Sequence, residues 1–325
     1  MLEQALTDAL TQYEETMGEA FPVVPRLVVV ADTAFWAAAE LEGEALVISV
    51  STGIVDTLSD LWGRAFADDD FCNGVGQPIE STASEMIYLG LIWLLLHELH
   101  HYQMGHFAFT GRLSLTEANA PKSYGIATRE NAQLATLHAI APNDWALVEP
   151  CLEMQADHDA MEMLLDAYSP DGWKLIRNRA AAIAAIMMLI EREEAKRRVE
   201  HVSHPKAATR IFQLLGHVME MPLIQSILAQ QRPDLNIDPT LPTDDEQGRF
   251  NREVVIPCFF DAVNLARIAA AETIRSDLGE AQDFIGDMQT AKLADPSQFD
   301  QFVTVGAKQW GELIAVNSLI TREYR

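Results

Sequence analysis

Positive charge is scarce in this chain. Its 325 residues carry 23 Lys and Arg against 48 Asp and Glu, a formal net charge of −25. Binding to nucleic acid is dominated by Lys and Arg on phosphates, so a nucleic-acid partner is not expected. Acidity of this order keeps a protein dissolved and admits a basic partner. Cysteine is nearly missing as well. Cys72, Cys151 and Cys258 are few, odd in number and widely spaced, which speaks against a disulfide framework or a cysteine metal site. Long apolar runs are also lacking. The longest, Ile87–Leu96 and Ala180–Ile190, are far shorter than the ~20 residues of a membrane-spanning helix. The opening stretch Met1–Asp8 is acidic and polar, without the basic region and apolar core of a signal peptide. A cytoplasmic protein with no stable membrane insertion is therefore expected. Hydrophobic residues make up 49% of the chain, ample for a core.

What is present is concentrated chemistry. The run His97-Glu98-Leu99-His100-His101 reads H-E-x-x-H and closes the apolar stretch Ile87–Leu96. On a helix, residues four apart lie on one face, so His97 and His101 can reach one metal ion. Glu98 sits beside the first of them and is free to act as a base on water. This spacing points to a zinc metallopeptidase site. A catalytic zinc takes three protein ligands, so another is expected downstream. Glu153 is the best candidate, in the helix-favouring segment Trp145–Tyr168. Asp157, four residues on, shares its face and is expected to accept the free ring N–H of a ligating histidine, fixing its tautomer. Glu149 and Glu130 are other acidic candidates, but neither has the E-x-x-A-D-x-x-A context. His100 and His106 read as hydrogen-bonding structural histidines. His138, His158 and His217 read as ordinary helix residues. Further on, Pro205 suits the first turn of a helix. That leaves His204 at the cap, either a loop residue or an electrophilic helper near the metal, with Arg210 about two turns later.

Together these segments resemble the gluzincin peptidases of the HtpX and CAAX-prenyl-endopeptidase type. That pattern is H-E-x-x-H with a further His nine residues after the first, then E-x-x-A-D-x-x-A, then H-P-x-x-x-x-R-I. Here they run in order from His97 to His106, Glu153 to Ala160, and His204 to Ile211. Upstream, the segment from Ala45 to Ile54 is similar to the family's strand and "T-G-L" turn. The resemblance covers about residues 24–215. It implies a zinc endopeptidase acting on a protein or peptide substrate, with Zn2+ held by His97, His101 and Glu153 and Glu98 as general base. It further implies that His204 and Arg210 border the active site, with His204 able to approach the metal or the oxyanion. Lit-type phage-exclusion peptidases and ImmA-type regulators are other soluble H-E-x-x-H proteins. They keep a second expectation open: a latent or non-proteolytic regulator, in phage defence or a toxin system, that retains the zinc site.

The expected fold is α+β and mainly α-helical, a zincin-like metallopeptidase core with a small N-terminal sheet and a helical C-terminal region. The divisions expected are a metallopeptidase domain over 1–230, a linker over 231–250 and a helical region of unknown role over 251–325. Val- and Ile-rich runs predict strands at Leu27–Ala31 and Leu46–Val50, with a short helix over Phe35–Glu40 between them. The stretch Asp68–Pro78 reads as a loop over the surface or the cleft. Helices are expected over Leu2–Thr16, Ile54–Phe66, Ser81–His106, Ala127–Ile140, Trp145–Ala167, Gly172–Glu200, Pro205–Gln230, Val254–Arg275, Gly279–Leu293 and Pro296–Arg325. The charged run after Ile190 reads as a solvated helix face.

Overall fold

Val- and Ile-rich stretches near the start of the chain form strands, and most of the other described residues are helical. The computed structural model describes residues 1–76, 78–107, 112–114, 140–197, 203–231, 234, 242–292 and 295–321. Strands β1 (Arg26–Val30), β2 (Ala37–Glu42), β3 (Ala45–Ser51) and β4 (Arg112–Ser114) lie in the order β1-β3-β2-β4. β1 runs parallel to β3, with Leu27 opposite Ile48. β2 runs antiparallel to both neighbours, with Ala39 opposite Ile48 on one side and Leu113 on the other.

The short helix expected over Phe35–Glu40 is corrected to strand β2. Its alanines favour a helix locally. However, the hairpin turn, where Gly43 takes φ +66°, folds the segment back onto β3, and the ladder wins. Ala37, Ala38 and Ala39 are all buried, as in a strand covered on both faces. Ser51 N–H donates to the Trp36 carbonyl at 3.0 Å, and Trp36 Nε1 donates to Asp32 at 2.8 Å.

α1 (Leu2–Met17) precedes the sheet, and α2 (Gly53–Phe66) comes directly after β3. A Cβ at Gly53 would lie 2.3 Å from the Thr33 carbonyl oxygen, so this start to the helix requires glycine. The loop expected at Asp68–Pro78 holds one short turn, α3 (Asp69–Cys72), capped by Asp68 accepting from Phe71 N–H.

α4 (Ala83–Gln103) begins at a capping box. Thr82 accepts from Glu85 N–H, and the Glu85 carboxylate accepts from Thr82 N–H. Every residue from Leu91 to His101 is buried. α4 is enclosed by α1, α2, β2, α5 (Val148–Leu165) and α6 (Trp173–Arg197). A helix apolar on all sides belongs inside a large protein, and this one carries the run His97–His101 into the interior. The expected helix over Ala127–Ile140 lies outside the described residues, apart from Ile140.

α7 (Ala207–Gln231) packs on α6. Within the expected linker, the later described part forms α8 (Asp244–Phe250), whose Phe250 is buried against Tyr168 and Trp173. A π-helical turn at Asn251–Val255 leads into α9 (Ile256–Ile268). The single helix expected over Val254–Arg275 is corrected to two. α9 stops at Ala269, Ala270 turns to φ +55°, and α10 (Glu272–Leu278) comes next. α11 (Ala281–Lys292) and α12 (Val305–Thr321) complete the described chain.

α12 lies against α7 and α5. A Cβ at Gly306 would stand 2.6 Å from the Ala208 carbonyl oxygen, so the two helices meet at van der Waals contact there. One apolar cluster includes residues from Leu2 to Ala307. A second joins Cys151 and Leu152 of α5 to Leu313, Val316 and Ile320 of α12. Among the described residues, one helix, Ala207–Gln230, is long and apolar enough by length and composition to cross a membrane, and half of its apolar window is buried.

Candidate metal centre

α4 and α5 pack side by side, and each contributes residues four apart. His97 and His101 come from α4; Glu153 and Asp157 come from α5. The ligand atoms of His97, His101 and Glu153 all lie within 4.8 Å of one another. His97 Nε2 is 3.2 Å from Glu153 Oε2, and His101 Nε2 is 3.6 Å from Glu153 Oε1. The two Nε2 atoms stand 3.0 Å apart with their rings perpendicular. All three side chains are about 1–2% exposed.

The partners around the imidazoles fix which nitrogen is bare. His97 Nδ1 lies 3.0 Å from Asp157 Oδ1, close but out of line for its ring N–H. His101 Nδ1 faces His106 Nδ1 at 2.9 Å. His106 Nε2 faces Gln155 Oε1 at 3.0 Å, and Gln155 Nε2 donates to Asn317 Oδ1 of α12 at 2.6 Å. Read outward from the amide, His106 donates from Nε2, so its neutral ring accepts at Nδ1 from His101. His101 is then left with a lone pair at Nε2. Neutral His97, with its proton toward Asp157, also presents a lone pair at Nε2. The two Nε2 atoms and a carboxylate thus converge on one point, close enough together to hold a metal ion. A divalent metal with nitrogen and oxygen ligands fits this donor set. Without it, a proton must serve. Burial opposes charge on His97, but Asp157 and Glu153 beside it carry its pKa up to about 9. Burial depresses His101 well below the ordinary histidine value.

Glu98 is fully buried, and its carboxylate has no well-aligned hydrogen bond, only the weak pull of the Ala39 backbone. Burial, with the neighbouring Glu153 charge adding to it against the pull of His97, lifts its pKa to about 8. A carboxylate so weakly bonded is costly to bury, and one tuned near neutrality suits proton transfer.

His204 reaches the same place from the chain entering α7. Its Nε2 is 3.2 Å from Glu153 Oε2, and its Nδ1 donates to Glu194 at 2.6 Å. Burial works against its charge, but the two carboxylates hold its pKa up at about 10. His204 thus stands between Glu153 and Glu194, with Nε2 toward the first and Nδ1 on the second. Arg210 meets the site through Asp157. Its guanidinium donates to Asp157 from Nε and Nη2, both at 2.6 Å, so it holds the carboxylate that faces His97.

Sequence reasoning misses three participants. Glu194 lies in the charged run that reads as a solvated face, yet its side chain is only 11% exposed and touches His204. That reading is corrected for this residue, and Glu191 of the same run turns inward to accept from Ala207 N–H. Gln155 and Asn317 carry no motif of their own. His106 reads as structural, and the nine-residue spacing from His97 is the signal that it belongs near the ligands. His100 is a buried structural histidine, with Nε2 3.3 Å from Met163 Sδ.

The chain matches no protein-family model, and searches of curated proteins and of solved structures return no match, so this centre is read from its own geometry.

Proposed function

We propose that this chain is a zinc-dependent endopeptidase of gluzincin type, a soluble cytoplasmic protein with a zincin-like core. The convergence of the His97 and His101 Nε2 atoms on Glu153, beside the buried carboxylate of Glu98, supports this reading. Zinc held by His97, His101 and Glu153 would supply Lewis acidity, polarising a peptide carbonyl and acidifying water. Glu98 takes the proton from the attacking water and passes it to the leaving amine. Its carboxylate sits beside the ligand His97, within the buried cluster where such transfers would take place. His204, with Nδ1 on Glu194, would turn Nε2 toward a developing oxyanion. Asp157 orients His97, and Arg210 keeps Asp157 in place. The surrounding apolar side chains of α4 exclude water and strengthen these interactions.

The test pairs metal analysis with cleavage. The purified protein is expected to hold about one tightly bound zinc per chain, to lose it in the His97→Ala/His101→Ala double variant, and to cleave members of a peptide library. A protein that cannot be loaded with zinc, or loaded protein that cleaves nothing, sinks the reading.

The burial of His97, Glu98, His101, Glu153 and His204, each at most 2% exposed, favours a second reading. In it the centre is closed and the chain is a latent or non-proteolytic regulator. Zinc-loaded protein that is inert toward every peptide but retains full metal affinity would select this alternative.

A further inference from the structure

A second group of ligand-type side chains lies on α5 and α7, outside the centre described above. We infer that His158 and Glu162 of α5, with His217 of α7, form a second site for a divalent transition-metal ion, open to solvent on the seam between the helices.

The ligand atoms of these three residues all lie within 4.8 Å of one another. His158 Nε2 stands 3.8 Å from Glu162 Oε1. That is too long for a hydrogen bond. It is close to the edge of a tetrahedron around a metal ion, about 3.4 Å for bonds of about 2.0–2.1 Å. The His158 and His217 rings meet nearly perpendicular, at 83° with centroids 5.5 Å apart. His97 and His101 meet in the same manner, at 90° and 4.6 Å. Two imidazoles and a carboxylate suit zinc, nickel, cobalt or copper better than calcium or magnesium, which prefer oxygen. Glu220, one helical turn beyond His217, borders the same place and adds negative charge.

The surroundings differ from those of the first centre. The His158 and Glu162 side chains are 45% and 51% exposed, so an ion can enter directly and keep water on its remaining positions. His158 and His217 also line a cleft of about 460 Å³, with Met154, Phe212, Met288 and Trp310 on its apolar walls. An i,i+4 His–Glu pair that only decorates a solvated helix would need no third partner. Here the third partner, a second imidazole, comes from another helix. An ion bound here would pin α5 to α7 alongside the Asp157–Arg210 and Met154–Gln213 contacts.

The experiment is equilibrium dialysis of metal-free full-length protein against Zn2+ and, separately, Ni2+, with elemental analysis and a thermal melt on each sample. Wild type is expected to take up two equivalents, one of them weaker. His158→Ala/His217→Ala should retain the tight equivalent alone and lose the rise in Tm that the weaker one gives. His97→Ala/His101→Ala should retain the weaker one alone. The milder His158→Gln/His217→Gln pair, with a far-UV spectrum matching wild type, guards against a folding defect. A His158→Ala/His217→Ala protein that binds as many equivalents as wild type overturns the inference, as does wild type that takes up no equivalent sensitive to these residues. Because the two variant pairs are read separately, failure of the first centre leaves the second still visible.

Discussion

Replacing Asp157 with asparagine probes the point where the ligand shell and the fold meet. The carboxylate accepts both arms of the Arg210 fork at 2.6 Å and lies 3.0 Å from His97 Nδ1. Both partners of the ion pair are 1% exposed. The amide is nearly isosteric, so the change removes charge while keeping volume. Two unit charges about 4 Å apart attract by about 4 kcal/mol at an effective dielectric of about 20. Stripping one partner from a buried pair costs about 3–5 kcal/mol, since the other charge is left uncompensated. Asp157→Asn is therefore expected to lower the unfolding free energy of metal-free protein by roughly that amount, read by urea denaturation. The second readout is metal. Loss of a carboxylate that orients a ligating histidine weakens affinity about ten- to hundredfold, or about 1.4–2.7 kcal/mol, read by competition against a chelator. Arg210→Met separates the two effects: it should cost similar stability while leaving Asp157 free to hold His97, so zinc affinity should fall much less. Unchanged zinc affinity in Asp157→Asn would refute the orienting role, and unchanged stability would refute the buried pair. Burial raises the Asp157 pKa, but Arg210 and His97 overcome this and hold it below the usual carboxylate range. Its contribution is thus present above that range and lost as pH falls through the depressed value.

The same geometry sets further expected outcomes. Glu98→Gln is expected to keep zinc and fold while cutting cleavage by about 10²–10⁴; full turnover in that variant would reassign the base. His97 in metal-free protein is held protonated up to about 9, so zinc loading near neutral pH should release at least one proton, seen as binding heat that varies with buffer ionisation. The same raised value makes its contribution to metal-free stability full below the ordinary histidine range and lost as pH rises through about 9. His204→Ala should lower kcat by roughly a hundredfold, whereas a rise would mark His204 as an inhibitory ligand. Gly306→Ala would place a methyl 2.6 Å from the Ala208 carbonyl and should cost about 1–3 kcal/mol; an unshifted denaturation midpoint would mean α12 can stand off α7.

The parts of the centre legible in the sequence are those that depend on local spacing. His97 with His101, and Glu153 with Asp157, can be paired because four residues on a helix define a face without knowledge of the partner. Which helix supplies which neighbour is a long-range matter. Glu194 looks like one more charge in a solvated run, and only the entry of the chain into α7 turns it onto His204. Gln155 and Asn317 stand 162 residues apart, beyond the reach of any local pattern. Arg210 reads as bordering the active site through its motif with His204, but the partner its fork takes, Asp157, cannot be read from that motif. In the fold, strands β1 and β3 are legible from Val and Ile content. β2 is not, since alanine favours helix until a hairpin and two flanking strands outweigh it. The split between α9 and α10 is hidden because it occurs within three consecutive alanines, Ala269 to Ala271, with no glycine or proline to mark it.

The hydrogen-bonded line from Asn317 through Gln155 and His106 to His101 ties the order of assembly to the appearance of chemistry. Synthesis delivers the H-E-x-x-H segment early, but the residue that fixes the His101 tautomer arrives more than two hundred positions later. Until α12 docks, Gln155 lacks the acceptor for its amide, and His101 is free to turn its proton toward the ligand position. A growing chain would therefore hold metal loosely, and one with α12 seated would hold it firmly. On the peptidase reading, this delays cleaving power until the body that contains it has been built.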